Sequence, residues 1–149
     1  GRFFTTSASV SGLGRGSDLP PLRANSAACA EHYDGLSALL RQMAETEMPT
    51  VAVIDGHCSG AAVGVSAHAT ACVVTERSRL SLPGAAFGTV TEAFASYQLS
   101  RLPRGLGAYL SLTGAALSAR EMVELGLATH MTESTALWRV EEALGLQST

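Results

Sequence analysis

The sequence predicts an α/β domain built around a mostly parallel sheet. Short apolar or β-branched runs, which are typical of buried strands, alternate along the chain with segments in which apolar residues recur every three or four positions. This alternation favours parallel pairing, because each helix returns the chain to the start of the next strand. With 149 residues, of which 46% are hydrophobic, the chain has the size and apolar content of one small domain.

The first half of the chain carries the predicted strands. Residues 3–10 are rich in aromatic and β-branched types and predict a strand, and the glycines and prolines of 11–22 predict a loop. Apolar residues at helical spacing predict an amphipathic helix over 26–47, which Pro49 ends. Further strands are expected at 50–55, 71–76 and 79–82, with a tight turn at 56–60 and a closely packed helix at 61–69.

The second half is predicted to be mainly helical. Residues 83–95 are expected to be irregular, since glycine and proline recur there. Ser118 and Glu121 have the spacing of a capping box, in which the side chain of each residue bonds to the backbone N–H of the other at a helix start. The helical pattern covers 94–102, 104–113, 118–126 and 134–145.

Charge and cysteine content exclude several classes of protein. The ten basic residues are all arginine and are scattered, and the net charge is −3, so RNA contact is expected to be peripheral at most. Three cysteines without a CxxC pair favour a reducing compartment and predict neither a disulfide framework nor a metal site.

No apolar run reaches the roughly 18 residues of a membrane span, so no membrane partner is expected. Because the sequence starts without methionine, we expect a fragment of a longer chain.

The turn at 56–60 is the first candidate site. It joins a buried strand to a helix that starts at Ala61, and the first N–H groups of a helix have no partners inside it. Small residues there would allow an oxyanion or a phosphate to reach these donors. The same residues would equally permit close packing of the helix on the sheet, so the spacing alone leaves both interpretations open.

A continuous stretch of about eighty residues resembles a known family. Between Val51 and His130 the chain contains, in order, IDG-x3-G, GVS-x-H, TERSRLSLP, SRLP, LTGA-x-LS and GLATH, while LGRGSDL at 13–19 is similar to an upstream F-x-x-G-x-D-[LI] loop. These motifs resemble the enoyl-CoA hydratase/isomerase (crotonase) superfamily, and within it the 3-hydroxyisobutyryl-CoA hydrolases. The resemblance implies an α/β fold with a crotonase-type ββα spiral, partial because the family's first strands are missing, followed by a helical C-terminal part. One domain over 1–149 is expected, with the spiral core at 1–103 and the helical region at 104–149.

The resemblance also implies a site that binds an acyl-CoA thioester and needs no cofactor. Backbone N–H groups of Arg15 and Ala61 would form the oxyanion hole that polarises the thioester carbonyl, and Gly60 and Gly84 would lie against the substrate. The family usually has glycine where this chain has Ala61, so the additional methyl group would lie where the thioester is expected.

The catalytic acids of the family are largely missing. The hydrolases carry glutamate after proline where this chain has Gly84, and glycine can neither accept nor donate a side-chain proton. Gly64 stands where hydratases have another glutamate, which the hydrolases also lack. The second family acid, usually aspartate, corresponds to Glu92, which is the candidate catalytic carboxylate. The glycines that follow it in the family are replaced by Phe94 and Ala95, which would crowd the acyl pocket.

Two functions are compatible with this pattern. The first is a structural subunit of a mitochondrial assembly, such as the small subunit of the mitochondrial ribosome, that keeps the fold, has lost catalysis and has other protein subunits as partners. The second is an active acyl-CoA thioester hydrolase of valine breakdown in the mitochondrial matrix, which would use the oxyanion hole and Glu92. The substitutions at Gly84 and Ala61 favour the first function.

The remaining polar candidates are interpreted as structural. His57 and Cys58 are adjacent and therefore point in different directions, which argues against a Cys/His nucleophile. His68 is expected to hold a hydrogen bond, and His130 to end a helix. Surface or packing positions are expected for Glu31, His32, Trp138 and the pairs Arg77/Arg79 and Arg101/Arg104, with substrate, phosphate or RNA contacts as the alternatives.

Overall fold

A computed structural model gives the structure of residues 3–5, 26–88, 91 and 95–145. These residues form two sheets and the helices that pack on them. None of the helices in these ranges combines the length and the apolarity that crossing a bilayer requires. The predicted loop at 11–22 and the second part of the predicted strand at 3–10 lie outside the described residues.

Four parallel strands form the main sheet. β1 (Phe3–Thr5) pairs with β2 (Val51–Ile54), β2 pairs with β4 (Ala71–Thr75), and β4 pairs with β7 (His130–Thr132). The central strands β2 and β4 are buried along most of their length. Burial on both faces explains why their sequences are continuously apolar rather than alternating.

Three short strands form a smaller sheet. They are β3 (His57–Ser59), β5 (Arg79–Ser81) and β6 (Leu117–Ser118). β3 and β5 are parallel, whereas β5 and β6 are antiparallel. The predicted mostly parallel pairing is therefore confirmed, with β6 as the one antiparallel strand in the described part of the chain.

The described residues also form α-helices of four to twenty residues. They are α1 (Ser26–Glu45), α2 (Ala61–Ala67), α3 (Gly84–Phe87), α4 (Ala95–Leu99), α5 (Leu106–Thr113), α6 (Ala119–Glu124) and α7 (Leu137–Ala143). Short 3₁₀ turns precede α5 at Pro103–Gly105 and α7 at Ser134–Ala136. The helical C-terminal part of the predicted fold is thus present.

One main apolar core joins both sheets to the helices that follow them. Ile54 on β2, Val74 on β4 and Met122 on α6 are completely buried in it. A smaller cluster holds α1 in place, since Leu40 packs there against Val65 of α2. Burying each such side chain contributes about 1.5–3 kcal/mol, so together they outweigh a typical single hydrogen bond, which contributes about 0.5–1.5 kcal/mol.

Helices α4 and α5 cross with their backbones in contact at Gly107. A Cβ atom on Gly107 would lie 1.9 Å from the carbonyl oxygen of Leu99, so only glycine permits this approach. The helix on which Gly107 lies ends at Gly114, which has a left-handed backbone with φ 66°. Its N–H donates to the Leu110 carbonyl oxygen at 2.9 Å and closes the last turn.

Two predictions of local structure are wrong. The tight turn predicted at 56–60 is instead the strand β3, because its three residues pair with β5 and alternate exposed, buried and half-buried side chains. His130 does not end a helix but begins β7, where it lies opposite Val73 of β4. Strands of three residues carry too short a pattern to identify from sequence, so their tertiary pairing decides the conformation.

Other boundaries shift, and one detail is confirmed. The segment predicted as irregular after Pro83 contains α3, and the helix predicted over 104–113 is interrupted at its start by Arg104, whose φ is 55°. The capping box is present as predicted. Glu121 N donates to Ser118 Oγ at 3.4 Å, and Ser118 N donates to Glu121 Oε2 at 2.7 Å.

Candidate functional site

Two chain segments leave the smaller sheet side by side at the carboxyl ends of its parallel strands. Ser59 and Ser81 lie opposite each other as the last residues of β3 and β5. The segment after β3 enters α2, and the segment after β5 enters α3. Since neighbouring strands lie about 4.8 Å apart, Gly60–Ala61 and Pro83–Gly84 emerge at the same sheet edge. Three of the predicted site residues, Gly60, Ala61 and Gly84, therefore follow the same end of this sheet.

Gly60 makes the turn from β3 into α2. Its backbone has φ 59° and ψ −131°, a conformation that glycine adopts without steric cost. Its carbonyl oxygen accepts a hydrogen bond from Val63 N at 3.1 Å, which starts the helix. Ala61 follows as the first helical residue, and no residue in the described part of the chain accepts a bond from its N–H. A first-turn N–H of this kind can donate to a carbonyl oxygen, as the predicted oxyanion role requires.

Residue 84 begins α3 and follows the buried Leu82 and the half-buried Pro83, which come directly after β5. Gly84 is itself half-buried and brings no side-chain acid to the sheet edge. None of the residues at 59–62 and 81–84 carries an ionisable side chain. The described residues of this edge therefore offer the Ala61 N–H as a backbone donor and no side-chain acid or base for proton transfer.

Asp55 is the acidic residue that comes just before β3 in the sequence. Its carboxylate belongs to a separate network of hydrogen bonds. Its Oδ1 accepts hydrogen bonds from Thr75 Oγ1 at 2.6 Å and from Arg77 Nε at 2.9 Å, and its Oδ2 forms an ion pair with Arg77. The bonds from Arg77, followed by that from Thr75, hold the pKa of the Asp55 carboxyl below its usual range. Ser78 Oγ donates to the Ile54 carbonyl oxygen at 2.6 Å. The network ties the end of β2 to the end of β4, which is a structural role.

Glu76 holds the C-terminal segment of the chain. Its carboxylate accepts a hydrogen bond from Ser134 N at 2.8 Å and another from Ser134 Oγ at 2.5 Å. These bonds lower the pKa of Glu76. They also cap the 3₁₀ turn that leads into α7, so Glu76 positions that helix relative to β4.

Cys58 and Cys72 have the properties of buried structural thiols. The side chain of His57 is exposed whereas that of Cys58 is completely buried, which supports the prediction that the two do not form a catalytic pair. Cys58 Sγ lies 3.8 Å from Ser66 Oγ, whose hydroxyl hydrogen is directed to the Val63 carbonyl oxygen at 3.0 Å. Burial, with a smaller contribution from Cys58, raises the pKa of the Cys72 thiol to about 12. A thiol that stays protonated at neutral pH is a poor nucleophile.

His68 and His130 make local hydrogen bonds. His68 Nδ1 donates to the Gly64 carbonyl oxygen at 2.7 Å, which confirms the hydrogen bond predicted for it. His130 Nδ1 lies 2.8 Å from Thr129 Oγ1. That hydroxyl donates to the Cys72 carbonyl oxygen at 2.9 Å, so the His130 nitrogen is the donor in their contact. Neither ring is part of the sheet edge that carries the candidate site.

The predicted surface residues are mostly exposed. Glu31, Arg77, Arg79, Arg104 and Trp138 are exposed, and the described structure gives no side-chain placement for His32. Arg101 lies over the ring of Tyr97 at 3.8 Å, a cation–π contact. The sequence analysis missed it, although a spacing of four residues within the helix predicted at 94–102 could have indicated it.

Three predicted site residues lie outside the described part of the chain. They are Arg15, the other proposed oxyanion donor, Glu92, the candidate carboxylate, and Phe94, which was expected to crowd the acyl pocket. Their roles stay predictions. Within the described ranges no three His, Cys, Asp or Glu side chains come together as metal ligands would.

The fold of the described residues is that of the crotonase superfamily. A carnitinyl-CoA dehydratase from Mycobacterium thermoresistibile is 28% identical and superposes with a TM-score of 0.77 over 84% of this chain and 38% of its own. The sequence model of the enoyl-CoA hydratase/isomerase family matches residues 6–149. The chain therefore belongs to the enoyl-CoA hydratase/isomerase family, as its motifs predicted.

Two curated relatives illustrate which members of this family the chain is similar to. The mitochondrial 3-hydroxyisobutyryl-CoA hydrolase of Rattus norvegicus is 39% identical over 102 residues, which are 68% of this chain and 26% of the relative. The small ribosomal subunit protein mS47 of Arabidopsis thaliana is 41% identical over 97 residues, which are 65% of this chain and 24% of the relative. The chain thus spans only about a quarter of the length of these two relatives.

Proposed function

We propose that the chain is part of a 3-hydroxyisobutyryl-CoA hydrolase-like protein that has lost catalysis and serves as a structural subunit of a mitochondrial assembly, such as the small subunit of the mitochondrial ribosome. Its similarity to both a hydrolase and a ribosomal subunit protein supports this proposal. The two relatives show that the same fold occurs in proteins with either kind of name, so the site residues must decide between them.

The observation that carries the proposal is the glycine at position 84. The segment after β5 comes to the same sheet edge as the turn at Gly60–Ala61, and residue 84 is the first residue of its helix. A carboxylate at this place would face a carbonyl held by the backbone donors. Glycine supplies none, and loss of a positioned acid or base typically lowers the rate about 10²- to 10⁴-fold.

The rest of the edge is preserved in outline, which is the pattern expected of a site that has lost its chemistry and kept its fold. Gly60 makes its turn with a positive φ, and the Ala61 N–H lies at the start of α2. The Ala61 methyl group occupies space next to that donor. Weak binding of an acyl-CoA thioester, without turnover, is therefore part of the proposal.

A mitochondrial location and protein partners follow from the same proposal. The rat relative is named as mitochondrial, and mS47 is named as a subunit of a larger assembly. The net charge of −3 disfavours deep burial in RNA, so we place the chain at a peripheral position where it contacts proteins.

Thioester hydrolysis by the full-length protein is the first test. The protein is incubated with 3-hydroxyisobutyryl-CoA, and release of the CoA thiol is followed with a thiol reagent. We expect a rate at least about 10²-fold below that of an ordinary hydrolase measured in parallel. A rate equal to that of the ordinary hydrolase would overturn the proposal and favour the active thioester hydrolase that uses Glu92.

A pair of variants at one position separates a missing acid from a closed pocket. Gly84→Glu restores the family's carboxylate, and Gly84→Gln adds a side chain of nearly the same shape that cannot act as a base. We expect Gly84→Glu alone to raise hydrolysis, by about 10-fold or more. Equal activity of the two variants would show that position 84 does not face the thioester.

Assembly is tested independently of catalysis. The full-length protein is expected to sediment with mitochondrial small ribosomal subunits at moderate salt and to remain bound when Arg101 and Arg104 are changed to Gln, since protein contacts rather than phosphates would hold it. Sedimentation only as a free protein would exclude the ribosomal form of the proposal.

A further inference from the structure

The turn at the end of α5 lies directly against the segment that carries residue 84. A Cβ atom on Gly114 would be 3.2 Å from Pro83 Cα, 3.5 Å from the Leu82 carbonyl oxygen and 3.8 Å from Pro83 Cβ. The first distance is tighter than most contacts of a real Cβ atom, and the other two are ordinary van der Waals distances. Little space is therefore left between Gly114 and the Leu82–Pro83 backbone. The backbone of the site segment therefore rests on the backbone of this turn.

The pairing of β5 with β6 explains why these two residues meet. In that antiparallel ladder Leu80 is opposite Leu117, and Arg79 is opposite Ser118. Each step forward on one strand is a step back on the other. Continuing the register by three residues places Pro83 opposite Gly114, which agrees with the observed contact.

The turn itself is held by bonds within α5. Thr113 Oγ1 donates to the Tyr109 carbonyl oxygen at 2.7 Å and accepts a bond from Ala115 N at 3.2 Å. Gly114 N donates to the Leu110 carbonyl oxygen. Because the backbone on both sides of Gly114 is fixed in this way, the turn can act as a rigid support for Pro83.

We infer that Gly114 is a positioning residue: its lack of a side chain sets the place of the Pro83–Gly84 segment at the candidate site. Two conditions demand glycine at this position. The backbone φ of 66° disfavours most side chains, and a Cβ atom would press on Pro83. The inference concerns the geometry of residue 84 and holds whether or not the protein hydrolyses thioesters.

The chain offers a matched control at Gly126. Gly126 has nearly the same left-handed backbone, with φ 72°, but its Cβ would meet no atom within 4 Å. Asparagine tolerates this conformation better than most residues. Gly114→Asn and Gly126→Asn therefore impose similar backbone costs and differ in the contact with Pro83.

Chemical labelling at position 84 reports the effect without requiring activity. In full-length protein carrying Cys29→Ser, the variant Gly84→Cys introduces a thiol whose alkylation rate is measured by mass spectrometry. Cys58 and Cys72 are buried and serve as internal reporters of unfolding. We expect Gly114→Asn to raise the rate at position 84 by about threefold or more, since access controls thiol reactivity, while the two buried thiols stay protected. Gly126→Asn should leave the rate unchanged.

Equal rates with both asparagine variants, or no change with either, would overturn the inference. If Gly114→Asn also exposes the buried thiols, the chain has unfolded and a milder variant decides. Thr113→Val removes the hydroxyl that holds the turn and adds no bulk. It should then raise labelling at position 84 alone, and failure to do so would refute the positioning role.

Discussion

Replacing Gly107 by alanine tests the close approach of helices α4 and α5. The new Cβ atom would lie 1.9 Å from the oxygen, 2.5 Å from the carbonyl carbon and 3.0 Å from the Cα of Leu99. All three are backbone atoms, so no side-chain rotation can relieve the clash. Helices α4 and α5 would have to separate by about 1 Å or more to restore normal contact distances.

The expected cost follows from two opposing effects. Overpacking of a well-packed core costs about 1–3 kcal/mol, and a clash with backbone belongs at the upper end. Alanine is favoured over glycine inside a helix by about 1 kcal/mol, which offsets part of this cost. We therefore expect Gly107→Ala to lower the free energy of unfolding by about 2 kcal/mol and the melting temperature by about 4–8 °C.

Urea unfolding of the full-length protein, followed by circular dichroism, measures this effect. Gly35→Ala is the matched control, since Gly35 lies inside α1 and a Cβ there would meet nothing within 4 Å. That control should be unchanged or stabilised by up to about 1 kcal/mol. If Gly107→Ala is as stable as Gly35→Ala, the helices do not approach as closely as described, and the reasoning fails.

Two further predictions concern the carboxylates beside β2 and β4. Arg77 lowers the pKa of the Asp55 carboxyl in the folded protein. The ionised Asp55 therefore stabilises the fold above its unfolded pKa of about 3.9, and this stabilisation is lost as the pH falls through the lower folded pKa. Asp55→Asn should therefore flatten the fall in urea midpoint between about pH 5 and pH 2, and an equally steep fall would contradict this. Glu76→Ala should speed amide hydrogen exchange at Ser134, whereas Glu124→Ala should not; similar exchange in both variants would argue against the cap.

Local sequence signals predicted those elements that depend on neighbouring residues. The capping box at Ser118 and Glu121 forms because its partners are three residues apart. The buried strand before Asp55 is recognisable because both of its faces are apolar. In each case the pattern and the structure that it specifies lie within the same few residues.

Elements that depend on distant partners were not predictable in this way. β3 exists only because it pairs with β5, about twenty residues further on, and β7 only because it pairs with β4. The contact of Gly114 with Pro83 is likewise invisible in composition or periodicity, although the motif that contains Gly114 was noted. In the candidate site, Gly60, Ala61 and Gly84 follow the same end of the smaller sheet. The roles of Arg15 and Glu92, which lie outside the described residues, stay predictions.

The order of strands in the main sheet has a consequence for synthesis on the ribosome. His130 lies opposite Val73, 57 positions earlier, and β7 is the last strand of the main sheet among the described residues. At about 5–20 residues per second, some 3–11 s pass between translation of these two partners. During that interval one edge of the apolar strand β4 is unpaired, and an unpaired strand edge can form hydrogen bonds with another polypeptide. Translational pauses in this window would therefore favour aggregation or chaperone capture.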